Sequence, residues 1–151
     1  MSYSVYQVMY TLAIEDPDMP TPRFHNVIFV EIEPETSGTM YHVTGSITDV
    51  GGMKYQEKKG RHPNQSESPN TYVGLGKIKV TDYPEVDRIL RALPTPPKQK
   101  HFNIKTMKTE QMKPDGTFYE PGEPRPPMIK CTEWTVNQAI PALYASGILR
   151  K

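Results

Sequence analysis

A second cysteine is missing from this 151-residue sequence, so the chain cannot form an internal disulfide. A lone cysteine is typical of a reducing compartment, and we therefore expect a cytoplasmic protein. No apolar run approaches the roughly 18 residues that a membrane-spanning helix needs, and the first residues lack the basic and apolar regions of a signal peptide. These absences predict a soluble chain without a membrane anchor.

A surplus of either charge is also missing. Eighteen basic and seventeen acidic residues leave a net charge of +1, which makes nucleic acid an unfavoured partner. One local exception is an arm at 98–113 with five lysines. It is able to touch phosphate, for example on an RNA-linked acyl donor, but at this net charge a solvated hairpin is the better interpretation. Four scattered histidines and one cysteine lack metal-ligand spacing, and we expect neither a metal nor a cofactor.

The hydrophobic pattern predicts one α+β domain over 1–151, with 36% hydrophobic residues. Aromatic and β-branched segments typical of strands occupy 3–14, 23–32, 39–47, 53–57 and 72–80. One side of a short helix at 83–93 is apolar. Turn signals between neighbouring strands favour an antiparallel sheet. We expect this sheet to pack against a C-terminal helix that starts at the cysteine.

Three local patterns are better explained by structure than by chemistry. The acidic run at 15–18 lacks the ligand spacing of a calcium loop and indicates a turn. The glycines of Gly74-Leu75-Gly76-Lys77 lack the spacing of a phosphate loop and indicate close backbone packing. In the closing helix, Pro141 predicts a break near Ile140, and Gly147 predicts its end.

Cys131 is the candidate nucleophile. A proline-rich run at 120–127 cannot be helical, whereas the apolar positions after Cys131 have roughly helical spacing. Cys131 therefore falls in a first helical turn, where unpaired amides and the helix dipole favour a thiolate. The amides of Cys131 and Thr132 would stabilise an oxyanion. The alternative is that a lone cysteine is a small buried hydrophobe.

Two histidines are candidates for the base. His25 and His42 lie on adjacent strands of one predicted hairpin, so a sheet packed against the helix start would bring them to Cys131. His62 and His101 lie in loops and rank lower. The alternative is that His25 only begins a strand and that His42 makes a satisfied hydrogen bond inside the sheet. The surrounding residues Arg23, Gln56 and Trp134 join Thr132 as candidates for oxyanion or substrate binding.

The order of these segments resembles a known group of enzymes. His25-Asn26-Val27-Ile28-Phe29-Val30, then Gly38-Thr39-Met40-Tyr41-His42-Val43-Thr44-Gly45, then Cys131-Thr132-Glu133-Trp134 is similar to the circularly permuted papain-like families related to NlpC/P60 peptidases. Lecithin:retinol acyltransferase, the small phospholipase/acyltransferases and uncharacterised fungal members belong to this group. The resemblance implies a permuted papain-like fold, with Cys131 as nucleophile, His25 as base and His42 as the group that orients the base.

The expected function is a cysteine-dependent hydrolase or acyltransferase. It would act on an ester, thioester or amide of a small molecule or peptide through a thioacyl intermediate on Cys131. Amide-bond-forming aminoacyl transfer is a possible subtype. The alternative is a non-catalytic protein- or ligand-binding module on the same scaffold. Asn26 in place of the usual aromatic, the acidic Glu133 in the first turn and a proline-rich surface suited to docking favour this alternative, and Lys130 in place of the usual asparagine is a further departure from the family.

Overall fold

An antiparallel sheet packed against a C-terminal helix gives the protein an α+β fold. The computed structural model describes residues 1–12 and 23–151. Five strands lie in the order β4-β3-β2-β1-β5, and their bounds are β1 (Ser2–Thr11), β2 (Phe24–Glu33), β3 (Ser37–Thr44), β4 (Lys54–Arg61) and β5 (Asn70–Lys79). The other elements are α1 (Tyr83–Arg91), the separate hairpin of β6 (Lys100–Asn103) and β7 (Lys108–Gln111), and the C-terminal helix.

Side chains alternate between the two faces of the sheet, as the pleat requires. The helix-facing side is defined by Ile28, Val30, Tyr41 and Val43, which are buried against Trp134 of the C-terminal helix. The opposite side carries a smaller apolar cluster of Val8, Val27 and Phe29. Because both faces of the middle of β2 are buried, this strand has the continuous apolar sequence of a strand inside a fold.

The C-terminal helix changes its winding once. It begins as α2 (Cys131–Trp134), passes through a π-helical turn (Thr135–Ala139), and continues as α3 (Ile140–Ala145). In the π-helical turn the Ile140 amide donates to the Thr135 carbonyl, five residues back. Pro141 follows in the first turn of α3, where its missing amide is tolerated. Gly147 ends the helix with a φ of 84°, a left-handed conformation that suits glycine.

The predicted strands and helices are present, with shifted ends. The arm at 98–113 forms a hairpin with an unpredicted turn at 104–107, and the predicted turn at 114–116 closes a further bridge between Met112 and Phe118. A β-carbon on Gly76 would clash with the Arg150 carbonyl oxygen, which confirms close backbone packing there, whereas the space beside Gly74 is open and the prediction is wrong for that glycine. The acidic turn at 15–18 and the end of the predicted first strand, 13–14, lie outside the described residues. None of the helices described is both long and apolar enough to cross a bilayer.

Candidate functional site

The two histidines form a hydrogen-bonded chain with a glutamine. His25 Nε2 lies 2.7 Å from His42 Nδ1, and His42 Nε2 lies 2.8 Å from Gln56 Oε1. Gln56 is the residue directly opposite His42 in the β3–β4 ladder. Because a carbonyl oxygen only accepts, His42 carries its proton on Nε2, and its Nδ1 accepts the proton of His25 Nε2. The remaining nitrogen of neutral His25, Nδ1, therefore carries a lone pair.

The surroundings keep both imidazoles neutral. Burial, then the neighbouring His42 and the Lys58 ammonium, lowers the pKa of His25 from 6.5 to about 4. Burial also lowers the pKa of His42, although the hydrogen bond to Gln56 opposes this shift. A neutral imidazole with a free lone pair is the form that accepts a proton.

The thiol lies beside the first residues of β2, the strand that carries His25. Cys131 is the first residue of α2, and its Sγ is 3.8 Å from the Phe24 carbonyl oxygen. The Thr132 hydroxyl lies 3.5 Å from the same oxygen. The oxygen and nitrogen of one peptide group are about 2.2 Å apart, so Sγ lies within about 6 Å of the His25 backbone nitrogen. The thiol and the candidate base thus share one strand end.

The two groups do not touch, however. His25 and His42 lie on the same sheet face as Val27 and Met40, and this face points away from the C-terminal helix. Cys131 packs with the helix-facing core on the other side. Among the described residues, the hydrogen-bond partner of the thiol is the Phe24 carbonyl, and no imidazole contacts the sulfur. The structure therefore joins His25, His42 and Gln56 directly, and it places Cys131 beside their strand without a hydrogen bond to them.

An ion pair fixes the helix start. Arg23 donates to both carboxylate oxygens of Glu133 at 3.0 and 3.3 Å, and the Lys130 amide donates to the same carboxylate at 2.8 Å. Burial alone raises the pKa of Glu133, but the bonds from Arg23 and Lys130 outweigh it and lower the pKa below its ordinary value. The negative charge that would oppose a thiolate is therefore balanced by Arg23.

A buried amide, which carries only a weak signal in the sequence, joins the sheet to the helix. Asn26 is 3% exposed, accepts a hydrogen bond from Gln7 at 2.8 Å and donates to the Thr132 hydroxyl at 2.9 Å. The available signal was a polar residue at the start of an otherwise apolar run. Asn26 therefore links β2 to Thr132, the residue after Cys131.

An open groove of about 650 Å³ leads to the imidazole pair. Tyr10, Lys58 and Arg61 line it, together with a wall formed by 65–68. The cationic rim was not identified from the sequence, because the side chains become neighbours only through strand pairing. Cys131 is not among the lining residues, so the groove reaches His25 from the face opposite the thiol.

The other candidates lie elsewhere. Trp134 is fully buried in the core beside Tyr55, and it supports the helix without reaching a surface. His62 is 3% exposed and bonds to Glu31 at 3.0 Å, away from the imidazole pair. His101 is exposed on the β6–β7 hairpin. Within 1–12 and 23–151, no group of three His, Cys, Asp or Glu side chains is placed to hold a metal ion.

Fold and site together define an α+β protein with a partly buried imidazole relay and a helix that begins at a cysteine beside one strand end. Comparison with known families matches residues 9–150 to a family of unknown function (DUF6540). The chain belongs to this family. No curated protein and no solved structure shows significant similarity to it.

Proposed function

We propose that the protein is a cysteine-dependent hydrolase or acyltransferase with a permuted papain-like fold, acting on an ester, thioester or amide. The observation that carries the proposal is the ordered chain from Gln56 through His42 to His25. It leaves an unprotonated Nδ1 on His25, at the strand end whose Phe24 carbonyl contacts the thiol. A nucleophile, a base and a group that orients the base are the parts that such chemistry needs.

In the proposed reaction, His25 Nδ1 takes the Cys131 proton as the sulfur attacks the acyl carbonyl. The oxyanion is stabilised by backbone amides at the helix start, at Cys131 and Thr132. The thioester forms as the bond to the leaving group breaks, and imidazolium His25 returns the proton to that group. Water or an amine then attacks the thioester, with His25 again as base. His42 stabilises the imidazolium, because its Nδ1 accepts a hydrogen bond from the Nε2–H group of His25.

This reaction requires a side-chain rotation. At rest the thiol donates to the Phe24 carbonyl, and the imidazoles lie on the other side of β2. Rotation of Cys131 about Cα–Cβ has to bring Sγ toward Nδ1 past the end of the strand, while His25 keeps its hydrogen bond to His42. His25 is the second residue of β2, so little chain stands between them.

Intact-mass measurement after incubation with an activated acyl ester tests the proposal. The chain has one cysteine, so an acyl adduct that neutral hydroxylamine removes, as it removes a thioester but not a lysine amide, lies on Cys131. We expect this adduct in the native protein, none in Cys131→Ala, and acylation about 100-fold slower in His25→Ala. His101→Ala, an exposed histidine on the separate hairpin, is the matched control and should acylate normally. A hydroxylamine-sensitive adduct that survives Cys131→Ala, or a rate that ignores His25, contradicts the proposal.

The thiol and the imidazoles lie on opposite sides of β2, and this separation also favours a second candidate function. The second candidate is a binding module that holds a ligand in the groove without turnover. Its thiol would stay bonded to the Phe24 carbonyl, and its imidazoles would bind a ligand as neutral polar groups. This candidate predicts ligand binding that is lost in His42→Ala and retained in Cys131→Ala, with no hydroxylamine-sensitive acyl adduct under any condition.

A further inference from the structure

The turn between β6 and β7 exposes three large apolar side chains. Ile104 is 74% exposed, Met107 is 71% exposed and Phe102, at the end of β6, is 48% exposed. Neither the imidazole relay nor the thiol uses this hairpin. Clustered exposed apolar side chains mark surfaces that meet a partner or a membrane.

The hairpin is attached to the rest of the protein at its base. The Gln99 and Lys100 amides donate to the Ile47 carbonyl at 2.8 and 3.2 Å, and the Gln111 side chain donates to the Pro126 carbonyl at 2.9 Å. The opposite end of the ladder, where Asn103 pairs with Lys108, leads into the exposed turn. The apolar residues therefore sit at the end farthest from the attachment.

Polar groups at the tip are bonded to one another. Asn103 and Thr106 both donate to the Glu110 carboxylate, at 2.7 and 2.8 Å. The Asn103 side-chain and backbone oxygens accept from the Lys105 and Met107 amides, at 3.0 and 2.7 Å. A segment that leaves water must satisfy its polar groups internally. The Asn103, Thr106 and Glu110 side chains meet part of that requirement within the tip.

Met107 is not explained by the needs of the turn. Its φ is 58°, in the left-handed region where glycine is the least strained residue. An exposed methionine here gains nothing from the core and is strained by the backbone. A contact between the Met107 side chain and a binding partner explains why an apolar residue lies at this position.

Lys105 and Lys108 lie in the same tip, and both are exposed. Glu110 accepts from Asn103 and Thr106 and keeps its negative charge, so the two lysines leave the tip with a net charge of +1. Lysine stems lie along apolar surface while their ammonium groups stay in a polar layer. An apolar apex next to two ammonium groups matches the headgroup boundary of an anionic bilayer.

We infer that the β6–β7 hairpin docks the protein on an anionic lipid surface, with Ile104 and Met107 entering the acyl boundary and Lys105 and Lys108 contacting headgroups. A protein partner fits less well, because a stable interface needs about 800 Å² on each side and a narrow turn supplies far less. RNA also fits less well, because the two most exposed side chains, Ile104 and Met107, are not aromatic and Phe102 alone offers a face on which a base could stack.

Vesicle flotation with the full chain tests this inference. We expect binding to vesicles of phosphatidylserine and phosphatidylcholine, little binding to phosphatidylcholine alone, and weaker binding at high salt. Lys105→Gln and Lys108→Gln should each weaken binding about fivefold, the factor for about 1 kcal/mol per lysine near a charged surface. Ile104→Ser with Met107→Gly should abolish it. The glycine also suits the φ of 58°, so the variant should fold.

Matched controls lie on the main body of the protein. Val50→Ser removes a side chain that is 88% exposed in another turn, and Lys59→Gln removes an exposed lysine of β4; both should bind as the native chain does. Ile104→Trp gives a second readout: its emission should shift to the blue with anionic vesicles, while the emission of buried Trp134 stays constant.

Three outcomes would overturn the inference: no vesicle binding, vesicle binding that the tip variants do not affect, or binding to an oligoribonucleotide in place of vesicles. The acylation test above stands or fails independently, since it uses no lipid.

Discussion

His25 Nε2 and His42 Nδ1 share one proton across 2.7 Å, so the two rings cannot both become imidazolium without breaking their bond. Gln56 fixes the direction of that bond by accepting from the far nitrogen of His42. β2 and β3 carry the two imidazoles and β4 carries the Gln56 amide, so the pairing of these three strands sets the geometry of the relay.

Because burial and Lys58 disfavour the charged rings, we expect both His25 and His42 to titrate below the usual histidine pKa of 6.5, with His25 near 4. Lys58→Met should raise the pKa of His25, since a like charge is removed. Lys59→Met is the matched control, because alternation turns Lys59 to the other face of β4. NMR titration of the ring carbons measures both. A normal pKa for His25 in the native chain would contradict the buried relay.

The lowered pKa also makes stability depend on pH. Unfolded His25 binds a proton below pH 6.5 and folded His25 only near pH 4, so the unfolded state gains protons in between. Stability is therefore full above the unfolded pKa and is lost as the pH falls toward 4. We expect a loss of about 2 kcal/mol between pH 7 and pH 5, measured by urea unfolding, and a smaller loss in His25→Asn. An equal pH dependence in His25→Asn would assign the effect to other groups.

The sheet was predictable because its strands carry strong local signals. Val27 to Val30 form an apolar run, and both faces of that run are buried. The neighbouring histidine strand was also predicted, and strand pairing follows from the short turn at 34–36. The relay itself adds Gln56, which the sequence offered only as a flanking candidate, because cross-strand register is not encoded locally.

Two features were beyond sequence reasoning. The turn at 104–107 has no glycine, and its left-handed residue is Met107, so the usual turn signal was absent. The direction of the Cys131 side chain depends on how the helix start meets Phe24, a contact between residues more than one hundred positions apart. Spacing along the chain predicted the helix, but not which face of the sheet the sulfur would meet.

The Arg23–Glu133 pair should contribute more than an exposed pair does. Its side chains are 12% and 24% exposed, and the bond is bidentate, so Arg23→Met leaves a half-buried carboxylate without its counter-charge. We expect a loss of about 2 kcal/mol, and a coupling of about 1 kcal/mol in a double-mutant cycle with Glu133→Gln. The matched control is the Arg88–Glu85 pair, whose side chains are 70% and 44% exposed and whose coupling should be near zero. Urea unfolding measures both cycles, and equal couplings would contradict the role of burial.

Asn26 and Thr132 offer a sharper test, since replacing one partner and replacing both have different consequences. Asn26→Leu leaves Gln7 without its acceptor and the Thr132 hydroxyl without its amide donor, and we expect a loss of about 2 kcal/mol. Adding Thr132→Val should cost less than the sum of the single changes, because the second orphaned group is removed with its partner.

Thr135→Val is the control for the same chemical change in the same helix. The Thr135 hydroxyl is buried and has no hydrogen-bond partner among the described residues, so its removal should leave stability unchanged or raise it. Urea unfolding of the single and double variants measures these differences. If Asn26→Leu and Thr132→Val are strictly additive, the amide does not hold the helix start. Cys131 would then owe its position to the Arg23–Glu133 ion pair and the packing of Trp134.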